Sequence, residues 1–530
     1  MKKIIKILEL MQVIPERKIN SETFNEIFQI DGIPLMDILE PLIKSPAYLP
    51  RPFKNLAEIE QAAKNKKYPS IFENLMFFAL GKGFSINEGL KRLLSAGQKP
   101  KAGFKKRDIL FLSFTNQIFE ENGNFDFFGF GEVLRDLQRK KLKPLVLVCD
   151  LFSNPFFKIK KHTNIPDYLA TPYNYMDKEV IQKSRNMARE LHRKWKSIDK
   201  SKLFTFKGKN YWPFLKDEMN FVFSEELLFV TLSLYMSFKK IIQVQDIKIV
   251  YITGGGLYER ALLAAARKLG KQVIYSPHGY AGSFLFSPYS ADKFKDVIFI
   301  SAGEEQKKEL MRWGIRKENI VVTGSPFFDK IAEFKLKKKA NELEKVITFL
   351  TDDVVESKFM DKKEYFSYVR RYLIHLSRIK NVKKIVIKLH PNEKYKSEYE
   401  SIVRSLGLKN VEVVQNTKKE ILYSILRDSD LLINFGSTAC VEGLMLDKDA
   451  ILIGGILGDF YKIAPYKEAV VLMDKDDDLT RVTNKVLNDK KFKERLKCKR
   501  EKYLRKSFYK IDGKSHERVA DLISSLLNGK

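Results

Sequence analysis

A chain of 530 residues with 44% hydrophobic side chains can bury large cores and divides into at least two domains, which excludes a disordered tail. Its 96 Lys and Arg against 66 Asp and Glu leave a formal charge of +30, favouring nucleotides, phospholipid headgroups or polyanionic saccharides; lysine is spread through nearly every segment, so nucleic acid is not implied. Cys149, Cys440 and Cys498 form no CxxC pair, which argues against a disulfide framework or zinc ribbon and fits a reducing, cytoplasmic setting.

Lys6 and Glu9 interrupt the apolar stretch that a secretory signal needs. Residues 1–103 read as a helical accessory region, with helical periodicity at Ile59–Ala63 and Ile86–Leu94 and turns around Pro46, Pro50 and Pro52. Residues 104–334 then alternate strands and helices. Strands are expected at Asp108–Ser113, Leu145–Asp150, Ile247–Thr253, Gln272–Ser276, Asp296–Ser301 and Asn319–Thr323. Between them fall helices from about Gly131 to Lys141, Glu225 to Ile242, Leu257 to Leu269 and Glu304 to Trp313. The most apolar run, Leu227–Phe238, falls short of the ~20 residues that span a bilayer. A proline- and aromatic-rich stretch from Leu151 to Pro213 reads either as an insertion at the site mouth or as an ordinary packed excursion. After the lysine run at 335–339, residues 335–530 carry a second series at Val346–Thr351, Lys384–Leu389, Val411–Gln415, Leu431–Phe435, Ala450–Gly454 and Val470–Met473. The expected fold is α/β, with two doubly wound Rossmann-like domains facing across a cleft and a helical N-terminal extension.

Polar groups recur where these strands should end, and in open α/β sheets ligands bind outside the carboxyl ends of strands. His278 and His390 each end an apolar strand, and Lys388 lies two residues before His390 on the same strand face, so both can meet a phosphate. Gly436, Ser437 and Thr438 open a helix, where free amides and hydroxyls can cradle phosphate; Ser437 or Thr438 reads equally well as an N-cap. Glu442, one turn on, can accept from ribose hydroxyls. Gly255, within Gly254-Gly255-Gly256, and Gly324 with Ser325 are further cleft candidates, a tight turn being the simpler reading of the triple glycine. Glu259 reads as a base or as a first-turn acid that complements the helix dipole. Asp352-Asp353 invites a metal, but two adjacent carboxylates with no third ligand make a poor site, so no metal is assigned.

His278-Gly279, Thr323-Gly324-Ser325-Pro326 with Asp329, Lys388-Leu389-His390-Pro391, and Asp430 through Gly436-Ser437-Thr438 to Glu442 resemble the ordered motifs of glycosyltransferase-B fold enzymes that build surface polymers. Capsule polysaccharide transferases and CDP-glycerol glycerophosphotransferases are the nearest families by this resemblance, which covers about Ile247 to Met473. It implies a nucleotide donor on the C-terminal domain and an acceptor facing the N-terminal one, with neither metal nor permanently bound cofactor. His390, Ser437 and Thr438 would then contact donor phosphate and His278 would sit near the reacting centre, with Glu259 or Asp150 as weaker candidate bases. Ile433-Asn434-Phe435-Gly436-Ser437-Thr438 stands where the glycerophosphotransferases carry a Thr-Asp-Tyr-Ser-Ser type of stretch, and Lys448-Asp449 replaces their Lys-Pro. Sugar transfer from a nucleotide sugar to a glycan or lipid-linked acceptor is thus preferred to polyol-phosphate transfer. A nucleotide-sugar 2-epimerase and a non-catalytic protein that binds a glycan or a membrane also fit this fold. The expected place is the cytoplasm, with peripheral attachment to an anionic membrane left open.

Overall fold

The computed structural model describes residues 10, 13–44, 106–114, 118–121, 124–149, 166–277, 294, 296–335, 345–356, 360–391, 393–416, 418–457 and 464–529. The helices expected at Ile59–Ala63 and Ile86–Leu94 lie outside them, as do His278, Asp150 and the lysine run from Leu336 onward.

Seven strands form the first sheet: β1 (Ile109–Phe114), β2 (Pro144–Cys149), β3 (Leu169–Ala170), β4 (Ile249–Ile252), β5 (Gln272–Tyr275), β6 (Ile298–Ser301) and β7 (Ile320–Val322). They run parallel in the order β7-β6-β5-β4-β1-β2-β3. The reason is legible in composition: β1 and β2 are almost wholly apolar and buried, as strands covered by helices on both faces must be. Helices α2 (Gly131–Arg139) and α5 (Leu257–Lys268) lie on the sheet, and α1 (Leu35–Lys44), α3 (Lys178–Ser197) and α4 (Glu225–Val244) pack with α5 in a further helical layer, α1 and α4 on α5 and α3 on α4. Asp177 caps α3 through the Val180 amide at 3.0 Å and Ser224 caps α4 through the Leu227 amide at 3.2 Å. Helix α4 is long and apolar enough to cross a membrane by composition, yet most of it is buried in the first domain's core, packed against α3 and α5.

The described N-terminal residues form two small hairpins, Lys18–Ile19 with Glu22–Thr23 and Gln29–Ile30 with Ile33–Pro34, followed by α1. They dock on the first domain through aromatic side chains. The Phe28 ring lies 5.1 Å from Phe223 and 6.2 Å from Trp195, and Phe24 and Phe28 belong to the same buried cluster as α4.

The second sheet holds β8 (Lys345–Leu350), β9 (Val382–Lys388), β10 (Val411–Val414), β11 (Leu431–Asn434), β12 (Asp449–Gly454) and β13 (Val471–Asp474), parallel in the order β10-β9-β8-β11-β12-β13. Among its helices are α6 (Lys419–Asp428) and α7 (Ala439–Met445). Both sheets therefore carry the same doubly wound strand order, reversing at β1/β4 in the first and at β8/β11 in the second.

The last helix, α8 (Ser515–Leu527), falls within residues 335–530 but packs against α2 on the first sheet. Its apolar face, Val519, Ala520 and Ile523, is fully buried with Phe111, Phe130 and Leu134, and the Tyr509 amide meets the Ala302 carbonyl at 2.7 Å on the way there. A hairpin, Ile118–Glu121 with Asn124–Phe127, follows β1 and has no counterpart among the expected elements.

Candidate functional site

The register of the second sheet levels three strand ends. Leu350 pairs with Lys388 on one side and with Asn434 on the other, so the segments after β8, β9 and β11 emerge together at the point where strand order reverses. Thr351-Asp352-Asp353, Leu389-His390 and Phe435-Gly436-Ser437-Thr438 thus share one edge.

Two of the expected phosphate ligands behave differently there. Lys388 is 5% exposed and its Nζ donates to the Leu389 carbonyl at 2.7 Å. Burial lowers its proton affinity and the nearby Glu393 carboxylate partly restores it. Its charge therefore serves the strand end rather than a free anion cradle. His390 is half-buried, and its amide donates to Thr351 Oγ1 at 3.0 Å. Burial lowers the imidazole's proton affinity while Asp353 raises it. Thr351 in turn donates to Glu393, which also accepts from Tyr399; burial pushes Glu393 up to about 7. Asp352 is likewise pushed up, first by burial and then by the adjacent Asp353 charge. His390 thus stands among Asp352, Asp353, Glu356 and Glu393, and sequence reasoning missed that third ligand beside the aspartate pair because it lies on a neighbouring strand.

At the end of β11 the loop is held from below. Asn434 is fully buried, donating from Nδ2 to the Ile451 carbonyl at 3.0 Å and accepting from the Tyr466 hydroxyl at 3.1 Å. The same hydroxyl lies 3.3 Å from the Ser437 carbonyl. Gly436 and Ser437 are buried, whereas Thr438 is exposed and occupies the N-cap position of α7 without making a side-chain cap. Glu442 is 4% exposed and turned inward: it accepts from Tyr423 at 2.9 Å, burial raises its proton affinity, and Lys419 counters that. It is therefore occupied within the domain rather than presented to a ribose.

In the first sheet the reversal point carries Gly254-Gly255-Gly256, between β4 and α5. Glu259 folds back onto this turn, where the amides of Gly256 and of Glu259 itself hydrogen-bond its carboxylate. It is 5% exposed, its Oε2 is shielded without a hydrogen-bond partner, and burial pushes its pKa up to about 7. Gly254, unlike Gly255, is crowded: a Cβ there would lie 2.4 Å from Glu259 Oε1 and would have to displace that carboxylate, while one on Gly255 meets nothing within 4 Å.

Gly324 and Ser325 lie at the anchor of the last helix. Gly324 adopts φ +81° and a Cβ would meet Ser515 Oγ at 2.5 Å. Asp329 accepts the Ser515 amide at 3.1 Å and the His516 amide at 2.7 Å, and Arg518 Nε donates to the Thr323 carbonyl at 2.6 Å. Thr323-Gly324-Ser325 with Asp329 thus clasps α8 to the first domain.

A cavity of about 560 Å³ opens where the domains meet, lined by Phe128 and Arg135 of the first domain, Phe327 and Lys330 of the connecting segment, Lys419 of the second domain and His516 of α8. It does not include Lys388, His390 or Ser437. Lys419 was not singled out by the sequence and joins the two domains: its Nζ donates to the Phe327 carbonyl at 2.5 Å and sits 3.3 Å from the Phe327 ring and 4.9 Å from that of Phe128. Burial lowers its pKa to about 8. Lys330 adds a second tie, to Glu420 at 2.8 Å and Asp126 at 3.4 Å.

Two doubly wound units meeting at such a cavity make an α/β fold with two Rossmann-like domains. Solved structures similar to this chain include Staphylococcus aureus MnaA with UDP (12% identity, 80% of this chain and 97% of that one, TM-score 0.47). Neisseria meningitidis UDP-GlcNAc 2-epimerase bound to UDP-GlcNAc overlaps 79% of this chain and 100% of its own at 12% identity and TM-score 0.45. Acinetobacter baumannii MurG overlaps 79% and 99% at 12% identity and TM-score 0.45. No protein-family model and no curated protein sequence matches the chain. At such identities no residue role is carried across.

Proposed function

We propose that the protein is a glycosyltransferase that moves a sugar from a nucleotide-activated donor to a glycan or lipid-linked acceptor. The observation that carries this reading is the level edge at the β8/β11 reversal, where Thr351–Asp353, His390 and Gly436–Thr438 converge at the strand ends of the second sheet. A donor diphosphate would lie along the Gly436-Ser437-Thr438 segment beside His390, where oriented amides and the exposed Thr438 hydroxyl stabilise the leaving nucleotide. On the first domain the candidate bases for an acceptor hydroxyl are His278, by the family resemblance, with Asp150 and Glu259 as weaker ones; Glu259 has a proton affinity near neutrality but is 5% exposed, so it would have to be uncovered to act. Lys419 and Lys330 bridge the domains and would fix their relative position.

The test is thermal unfolding of the full chain with UDP, GDP, CDP, CMP and ADP in turn, followed by product analysis with candidate acceptors. A ligand at 100 times its dissociation constant stabilises the fold by about 2.7 kcal/mol. Selective stabilisation by one nucleotide, with acceptor-dependent release of that nucleotide, is the expected outcome. A sugar isomer formed without acceptor would replace this reading by epimerisation, and no nucleotide effect at all would move it to a binding protein.

A further inference from the structure

The edge proposed for the donor is acidic where a diphosphate should lie. Four carboxyl groups, Asp352, Asp353, Glu356 and Glu393, lie around His390, and the nearby ammonium of Lys388 is engaged with the Leu389 carbonyl. Burial favours a proton on Asp352 and on Glu393, yet the carboxylates on this edge still disfavour an anionic ligand unless a cation offsets them.

Ligand atoms of Asp352, Asp353 and His390 all lie within 4.8 Å of one another, close enough to meet at one ion. They come from the ends of two adjacent parallel strands whose register is set by the Leu350–Lys388 pair, so the cluster is built into the sheet rather than gathered on a loose loop. The imidazole's backbone is pinned through Thr351 Oγ1, itself tied to Glu393. A separate observation points the same way: Glu356 Oε2, whose charge reaches His390, is shielded from solvent and has no hydrogen-bond partner, while its Oε1 receives the Lys394 amide at 2.8 Å. A buried carboxylate oxygen left without a donor is costly unless a cation or its bound water faces it.

We propose that Asp352, Asp353 and His390 bind one divalent cation of the Mn²⁺ or Mg²⁺ class. Two carboxylate oxygens and one imidazole suit such hard ions, and three protein ligands leave open positions for water and for phosphate oxygens. The second half of the inference rests on the donor reading above: the ion bridges this edge to the donor diphosphate and turns an acidic mouth into an anion site. No Cys joins the set, so the thiolate-rich environment of structural zinc is not formed there.

The experiment is Mn²⁺ binding to the full-length chain by titration calorimetry and electron paramagnetic resonance, with and without UDP. One Mn²⁺ per chain is expected, with imidazole nitrogen coupling that disappears in His390→Ala. Asp352→Asn and His390→Ala should each weaken Mn²⁺ at least tenfold. Asp352→Asn should melt in EDTA no lower than the parent chain, because it removes one of two crowded carboxylates, so a lost ion is not lost folding. Absence of Mn²⁺ binding, or binding unchanged by both variants, overturns the site. Binding at the site that leaves UDP affinity unchanged overturns the bridging role, whereas at least tenfold tighter UDP supports it. Mn²⁺ bound as expected while UDP, GDP and CDP all fail to bind would leave the metal site standing and remove the donor reading instead.

Discussion

Asp329→Ala tests how the chain closes on itself. The final helix has no side-chain cap of its own at Lys514, and Asp329 supplies one from the connecting segment, accepting the Ser515 amide at 3.1 Å and the His516 amide at 2.7 Å. Losing an N-cap costs about 1 kcal/mol, and stranding a second amide at the positive end of the helix adds roughly another 1 kcal/mol. Burial raises the proton affinity of Asp329 and so offsets part of its benefit, which keeps the expected total at about 2 kcal/mol rather than more. Arg518, His516–Asp136 and the buried Val519, Ala520 and Ile523 remain, so the helix should open more often without the domain unfolding. Native-state hydrogen exchange across residues 515–527 reads this directly. A loss of about 2 kcal/mol corresponds to roughly 30-fold faster exchange by local opening. Acceleration of less than about threefold would show that Asp329 does not hold the helix, and the clasp drawn from Thr323 to Asp329 would have to be abandoned.

Three further outcomes are expected. Glu259 holds a proton in the folded chain up to pH about 7 that an unfolded chain releases near pH 4.3, so stability should fall as pH rises through that window, by at most about 1.4 kcal/mol per unit; Glu259→Gln should flatten this slope in pH-dependent urea denaturation, and parallel curves would refute the assignment. If Glu259 is also the base, turnover of the parent chain should rise through the same pH. Gly254→Ala should cost about 1–3 kcal/mol by driving a methyl into Glu259 Oε1, while Gly255→Ala, with open space around it, should stay within about 0.5 kcal/mol; equal melting of the two would contradict the turn's geometry. Tyr466→Phe should cost about 1–2 kcal/mol by leaving Asn434 Oδ1 without its hydroxyl donor, and should weaken nucleotide binding several-fold by loosening Gly436–Thr438; calorimetry showing parental affinity would separate that segment from the donor.

The alternation of apolar runs with amphipathic segments predicts twelve of the thirteen strands in the two sheets, because strands covered on both faces must be continuously apolar; the two-residue edge strand β3, inside the proline- and aromatic-rich stretch from Leu151 to Pro213, is too short to leave such a run. The hairpin after β1 was also within reach, since Asn122-Gly123 between Ile118–Glu121 and Asn124–Phe127 is a strong two-residue turn signal. What local pattern cannot carry is pairing between distant segments. Strand register put Asp352 and Asp353 beside His390, 37 or more residues away in the chain, and turned a weak acidic pair into a three-ligand cluster. Packing likewise took Glu442 away from the ribose role and bound it to Tyr423 and Lys419, and it gave Gly324 to the helix anchor. The last helix shows the division most clearly: its amphipathic sequence determined that it would be a helix with one apolar face, but only the tertiary structure decided which sheet that face would cover, because an apolar stripe specifies burial and not a partner.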